Sequence, residues 1–280
     1  MILVADSGST KTEWVSENKI VRTKGINPVR DTKEEILEVI RTELMPLLVD
    51  NQTRQQAQKV SEIHFYGSGC IPPFADSVRE VMERCFPTAK IQIYSDLLGA
   101  ARALCGKQEG IACILGTGSN SCLCKNGEII TNTSPMGYIL GDEGSGAVLG
   151  RKLLSEMLKG NLKFLWQDFS QQYEMTVTDI INKVYRQPQA NKFLASLTPF
   201  IKKHIERDEV REMVVKEFKR FLQRNVLPYG RPDLVVNFVG GIASNFAEEI
   251  KQACLQCDMK IGQINASPAA DMYKYHISAH

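Results

Sequence analysis

The sequence predicts a two-lobed α/β protein. Apolar runs of strand length end at polar, glycine-containing turns, helical segments of 3.6-residue periodicity follow them, and this plan starts a second time after Gly106. With 280 residues, 43% of them hydrophobic and 24% charged, the chain can bury a large core. A formal net charge of +2 gives no footprint for nucleic acid or an anionic membrane. MILVADSGST lacks a basic lead, and no apolar run approaches the roughly 18–20 residues that span a bilayer. The expectation is a soluble cytoplasmic protein acting on a small molecule.

ILVAD is an apolar strand ending in an aspartate, and TEWVSENKIVRTKG alternates on either side of a turn at Glu17-Asn18, so three strands open the chain. From Asp31 to about Val49, Ile36, Val39, Ile40 and Leu44 share one helix face, with Asp31 or Thr32 as N-cap and Glu34 and Glu35 in the first turn. A polar stretch, DNQTRQQAQK, leads to the strand EIHFYG. A helix from Pro73 to Cys85, the strand AKIQIYSD and a small-residue helix from Leu97 to Cys105 complete the first half.

The second half opens with GIACILGTGSNSCLCKNGEIITN, three strands with turns at GTGS and at Asn126-Gly127. VADSGSTKT and CILGTGSNS follow one pattern, which reads as an internal duplication with a cleft as its consequence. A helix is expected from Glu143 to about Lys159, then amphipathic helices over 160–230 punctuated by Pro188, Pro199 and Pro228. In the clearest of these, Met213, Val214, Phe218, Phe221 and Leu222 form a core stripe. The strand LVVNFVGG precedes a helix from Ser244 or Asn245 to Cys257, and the tail IGQINASPAADMYKYH reads as helical. The lobes are therefore expected at 1–106 and 107–280, with a helical insertion at about 155–230 and a terminal helix, about 267–280, that is a candidate to pack on the first lobe.

The eight cysteines fit free thiols in a reducing compartment. Cys122-x-Cys124 and Cys254-x-x-Cys257 offer four thiolates to zinc on paper, but buried free cysteine explains both pairs as well.

Three glycine clusters carry the chemistry. Asp6-Ser7-Gly8-Ser9-Thr10-Lys11-Thr12 turns a strand into a hairpin, where successive backbone N–H groups form an anion-binding concavity; the Walker A spacing is absent. Gly116-Thr117-Gly118-Ser119-Asn120 is a second turn of that kind. Val239-Gly240-Gly241-Ile242-Ala243-Ser244 would let a ring or ribose approach the backbone. Asp96 ends a strand, where ligands meet open α/β sheets, and N-capping a helix is its ordinary alternative role. Gly141-Asp142-Glu143-Gly144-Ser145-Gly146 is a polar, crowded entry to a helix. Asp6 is a candidate to orient magnesium through water.

These strings resemble the two phosphate motifs and the adenosine motif of the sugar kinase, heat-shock 70 and actin superfamily. Tyr94-Ser95-Asp96, GTGSN, Gly137-Tyr138-Ile139-Leu140-Gly141-Asp142 and Ser267-Pro268-Ala269-Ala270 are similar to the N-acetylglucosamine kinase branch, grouped with the BadF/BcrA-type ATPases, over nearly the whole chain.

The resemblance implies two ribonuclease-H-like domains of the actin-like ATPase type with a cleft, an ATP and Mg²⁺ requirement, and Asp96 as general base toward a sugar hydroxyl, that on carbon 6. It implies ATP contacts at Gly8, Ser9, Thr10, Lys11, Gly116, Thr117, Gly118, Gly240, Gly241 and Ser244. Asn27, Ser119, Asn120, Gly137 and Asp142 fall at sugar-contacting positions, although Asn27 before Pro28 also fits a plain turn. A homodimer follows by family analogy. Met136-Gly137-Tyr138 stands where the family often has tryptophan. N-acetylglucosamine is the expected acceptor, with glucosamine or N-acetylmuramic acid as alternatives. An iron–sulfur ATPase activator of an acyl-CoA dehydratase or reductase shares the same phosphate motifs, as would a sugar-binding regulator without turnover.

Overall fold

The computed structural model describes residues 1–8, 10–17, 19–48 and 60–278. Ser9, Asn18 of the expected hairpin turn, Val49 and all of the DNQTRQQAQK stretch lie outside the described residues.

Two compact units divide the chain: Met1–Lys107 with Asn126–Glu128 and Ser267–His280, and Gln108–Lys125 with Ile129–Ala266. The first contains β1 (Ile2–Ser7), β2 (Lys11–Ser16) and β3 (Lys19–Lys24), then α1 (Lys33–Glu38), β4 (Glu62–Gly67), α2 (Ala75–Cys85), β5 (Lys90–Ser95) and α3 (Asp96–Cys105). Its sheet order is β3-β2-β1-β4-β5, an antiparallel meander extended by two parallel strands. α1 starts at a capping box. Thr32 accepts from the Glu35 N–H and Glu35 reaches back to the Thr32 N–H, and the helix runs on as a π turn and a 3₁₀ turn to Leu48. Ile36, Ile40, Leu44, Trp14, Phe65 and Val78 fill the core on one face.

The second unit holds β6 (Gly110–Leu115), β7 (Ser119–Lys125) and β8 (Glu128–Thr133). These are followed by α4 (Gly137–Leu140), α5 (Gly146–Lys159), α6 (Trp166–Tyr173), α7 (Val177–Tyr185), α8 (Ala190–Ala195), α9 (Thr198–Lys203) and α10 (Asp208–Phe221). β9 (Val235–Val239), α11 (Gly241–Asn245), α12 (Ala247–Gln256) and β10 (Lys260–Asn265) close the unit. Its order, β8-β7-β6-β9-β10, matches the first sheet strand for strand. The pattern likeness between VADSGSTKT and CILGTGSNS is thus a likeness of topology: β1 and β6 play one part, each followed by a hairpin partner. The helix α13 (Ala269–Ile277) packs on α3, β1 and β2 within the first unit.

Four local expectations are corrected. Ser95, not Asp96, caps α3: its Oγ accepts from the Leu98 N–H, and Asp96 becomes the first helical residue. The turn 142–145 delays α5 until Gly146 because Ser145 is its N-cap. The segment after Cys257 is not all helix, since Lys260–Asn265 pairs in parallel with β9 as β10. A bulge between Ile261 and Ile264 is filled by Asn237, whose Oδ1 accepts from the Gln263 N–H. The helix expected from Ser244 begins earlier, at Gly241, and breaks at Phe246, whose ring is buried.

None of the eight cysteines forms a disulfide. Among the described residues no group of three or more His, Cys, Asp or Glu side chains is placed to hold a metal ion. No described helix is long and apolar enough to cross a membrane.

Candidate active site

In the first unit, the register aligns Ser7, Gly67 and Ser95 in one row across the parallel strands β1, β4 and β5. The residues around that row therefore gather at the carboxyl edge of the sheet: Asp6 in β1 and Gly8 after it, Ser68 after β4, and Asp96 after β5. The row continues as a hydrogen bond from the Ser68 N–H to the Ser7 carbonyl, 2.9 Å.

Asp96 is half-buried, and loss of solvation raises its pKa. The Leu97 N–H, 2.9 Å from Oδ1, and the Ser68 hydroxyl oppose that rise by donating to the carboxylate. Because Ser95 does the capping, the Asp96 carboxylate is available at the sheet edge. Asp6 is pushed up to about 7, first by burial, then by the Asp96 and Glu13 charges, with Lys11 opposing.

Lys11 has an electrostatic reason for its place in this turn. Its Nζ lies 3.3 Å from Glu13, a buried carboxylate that also accepts from Arg22 and Ser267. Burial pushes the Glu13 pKa up, and these donors more than offset it, leaving a net lowered value.

The turn itself is held from beneath. The Gly8 N–H donates to Lys11, and Gly25 donates to the Thr10 carbonyl at 3.1 Å. A Cβ on Gly25 would meet the Gly8 carbonyl and the Thr10 N at 2.8 Å, so glycine there is a packing requirement. Ser7 fastens the strand: its Oγ lies 2.7 Å from Thr12 Oγ1 and accepts from the Ile26 N–H. Asn27 follows, and its Oδ1 accepts from the Val29 N–H at 3.0 Å. The turn role thus occupies that oxygen. Gly69, beside Ser68, leaves room for it, because a Cβ there would collide with Asn27 Oδ1.

In the second unit, Gly116, Thr117 and Gly118 turn β6 into β7, closed by a 2.9 Å bond from the Gly116 N–H to the Gly118 carbonyl. The first turn of α5 faces this loop: the Gly146 N–H donates to Gly116 and the Ala147 N–H to Thr117. Asp142 packs on the same loop, with its Oδ2 3.1 Å from where a Gly118 Cβ would stand, and it accepts from the Ser119 N–H. Burial raises Asp142 to about 6; the Ser119 bond opposes this and the Glu143 charge adds to it.

Asn120 Oδ1 accepts from the Ser121 N–H and from Asn132 Nδ2, 2.8 Å away. Gly240 adopts φ +122°, and a Cβ there would strike the Leu115 carbonyl. Its N–H donates to Asn265, tying the glycine pair to the end of β10. Gly241 has open space where a side chain would be. Ser244 lies within α11 and its Oγ donates to the Gly241 carbonyl.

The structure therefore brings Asp6, Gly8, Thr10, Lys11, Asn27 and Asp96 together in the first unit. In the second it brings together Gly116, Thr117, Gly118, Ser119, Asn120, Asp142 and Gly240. Gly137 stands apart from these contacts, exposed at the start of α4. Ser68, Ser7 and Asn132 are neighbours of the site that sequence reasoning missed. Only the strand register marks Ser68.

Two sheets of this order with glycine turns at their edges define the actin-like ATPase fold. MreB 5 of Spiroplasma citri, bound to AMPPNP, has this fold, at a TM-score of 0.60 and 10% identity over 99% of this chain and 95% of that one. No family model matches the sequence. A protein of Porphyromonas gingivalis assigned as an N-acetylglucosamine kinase is 44% identical over 100% of both chains, with a TM-score of 0.95. The N-acetylmuramic acid/N-acetylglucosamine kinase of Clostridium acetobutylicum is 30% identical over 76% of this chain and 74% of its own. The chain belongs to this amino-sugar kinase family.

Proposed function

We propose that the protein is an ATP-dependent kinase of amino sugars, N-acetylglucosamine first among them, transferring the γ-phosphate to the 6-hydroxyl. The observation that carries this reading is Asp96, a half-buried carboxylate held by Ser68 and the Leu97 N–H at the sheet edge that also presents the Gly8–Lys11 turn.

In this reading Asp96 takes the proton from the sugar hydroxyl as its oxygen attacks the γ-phosphorus, and the bond to the β-phosphate oxygen breaks to release ADP. The Gly8–Lys11 and Gly116–Gly118 turns bind phosphates through backbone N–H groups and hydroxyls, while Gly240, Gly241 and Ser244 face the nucleoside. Asn27, Ser119, Asn120 and Asp142 orient the sugar, and buried polar groups left unpaired would penalise a wrong one.

The acidic pair Asp6 and Asp96 suits a divalent cation, since burial and mutual repulsion hold Asp6 far above the carboxylate range. With no three-ligand cluster among the described residues, Mg²⁺ would be carried on phosphate oxygens and water, with Asp6 reaching it through water. When bound it neutralises phosphate charge.

The test is product analysis. The protein is incubated with ATP, magnesium and, separately, N-acetylglucosamine, glucosamine, N-acetylmuramic acid and glucose. Phosphorus NMR should show a sugar 6-phosphate with N-acetylglucosamine; ADP formation without any sugar ester would refute the reading.

A further inference from the structure

A second candidate site lies away from these loops, within the second unit. A cavity of about 690 Å³ runs along α10, bounded by Lys152 of α5 and by Gln252 and Gln256 of α12. Its size is that of a small-molecule site, about 300–1,000 Å³, but its character is not apolar. Among its described lining residues Val215 alone is apolar, so an occupant must be polar.

Two features define the polarity needed. The first is Glu217, only 3% exposed, with Oε1 3.8 Å from Lys152 Nζ and Oε2 accepting no hydrogen bond among the described residues. A buried carboxylate oxygen in that condition costs free energy until a donor reaches it. Glu249 carries a similar oxygen but does not line the cavity.

The second feature is a row of cations. Arg211 is engaged by Asp208 and Glu206. Lys216, Lys219 and Arg220 make no ion pair among the described residues, and Glu212 is the one further carboxylate lining the cavity. Lys219 and Arg220 also complement the carboxyl end of α10. Lys216 stands one turn from Glu212, with which it makes no ion pair among the described residues, and one turn from the like-charged Arg220, so it faces the cavity with an unneutralised charge.

We propose that this cavity is a binding site for a phosphorylated amino sugar. The amino or hydroxyl group donates to Glu217, and the phosphate is bound by Lys216, Lys219 and Arg220. The choice of amino sugar rests on the kinase reading; recognition of an anion paired with a donor does not.

The test is calorimetric titration of the full chain, without ATP, using glucosamine 6-phosphate and inorganic phosphate as probes. Glucosamine 6-phosphate should bind more tightly than phosphate. The double variant Lys219→Ala/Arg220→Ala, in which neither side chain is buried, should weaken it about tenfold or more, since hydrogen bonds to charged groups are lost, with unchanged thermal melting and unchanged sugar-dependent ADP release. Glu217→Gln should weaken glucosamine 6-phosphate but not inorganic phosphate. Absence of binding to the wild type, or binding untouched by the double variant, overturns the proposal. So does binding abolished by Asp142→Asn instead, which would place the ligand at the candidate active site. Failure of the kinase reading shows separately, as absence of sugar-dependent ADP release.

Discussion

The Gly146 N–H donates to the Gly116 carbonyl at 2.8 Å, so helix α5 spends its first backbone donor on the loop after β6. Ala147 does the same for Thr117, and Val148 is taken by the Ser145 hydroxyl. The start of this helix therefore acts as a clamp on a phosphate-type turn and is not itself an open anion site. The chemistry expected of GTGS lies in the turn's own N–H groups and hydroxyls.

Gly146→Ala tests the clamp. The new Cβ would press at 3.2–3.3 Å on Ala195, Ile242 and the Gly116 carbonyl. Overpacking of this kind costs about 1–3 kcal/mol. Denaturant unfolding should show that loss, and the KM for ATP should rise more than the KM for the sugar. An unchanged KM for ATP would separate the loop from nucleotide binding.

Asp142 gives a pH signature. Its folded pKa of about 6 stands above the ordinary 3.8. The folded chain thus holds the proton more tightly than the unfolded one, and this contribution to stability is complete below pH 3.8 and lost as the pH rises through 6. Sugar hydroxyls donating to the carboxylate would favour its ionised form. Near pH 6, N-acetylglucosamine binding should release a proton, seen by calorimetry in two buffers of different ionisation enthalpy, and Asp142→Asn should abolish the release. Proton uptake would contradict the assigned role.

Asn132 orients Asn120. Its Nδ2 serves Asn120 Oδ1, the Ser121 carbonyl and the Thr133 carbonyl at 2.8, 2.8 and 3.1 Å. Asn132→Asp removes those donors and places like-signed oxygens together. The sugar KM should rise by about threefold to tenfold, the worth of a hydrogen bond, with the ATP KM steady. A sugar KM within error of the wild type would show that Asn120 needs no such support.

The elements legible in the sequence were those with a strong local mark. ILVAD, EIHFYG and GIACIL are buried runs with abrupt polar ends, and Thr32 with Glu35 spells a capping box. β10 was not legible, because Lys260–Asn265 is largely exposed and its pairing depends on Asn237, more than twenty residues earlier. Ser95 and Asp96 are both good caps, and only backbone geometry decides between neighbours; that decision gives Asp96 its availability. Ser68 has no local pattern at all. It becomes visible only when β4 is laid between β1 and β5 in register.

The rate of sugar-dependent ADP release by wild type and by Asp96→Asn, at saturating ATP, magnesium and N-acetylglucosamine, tests the central claim most directly. The account predicts robust release by the wild type and a turnover lower by about 10²-fold or more in the variant, with ATP and sugar still bound by calorimetry. Near-normal turnover in the variant, or release indifferent to sugar in the wild type, would contradict it.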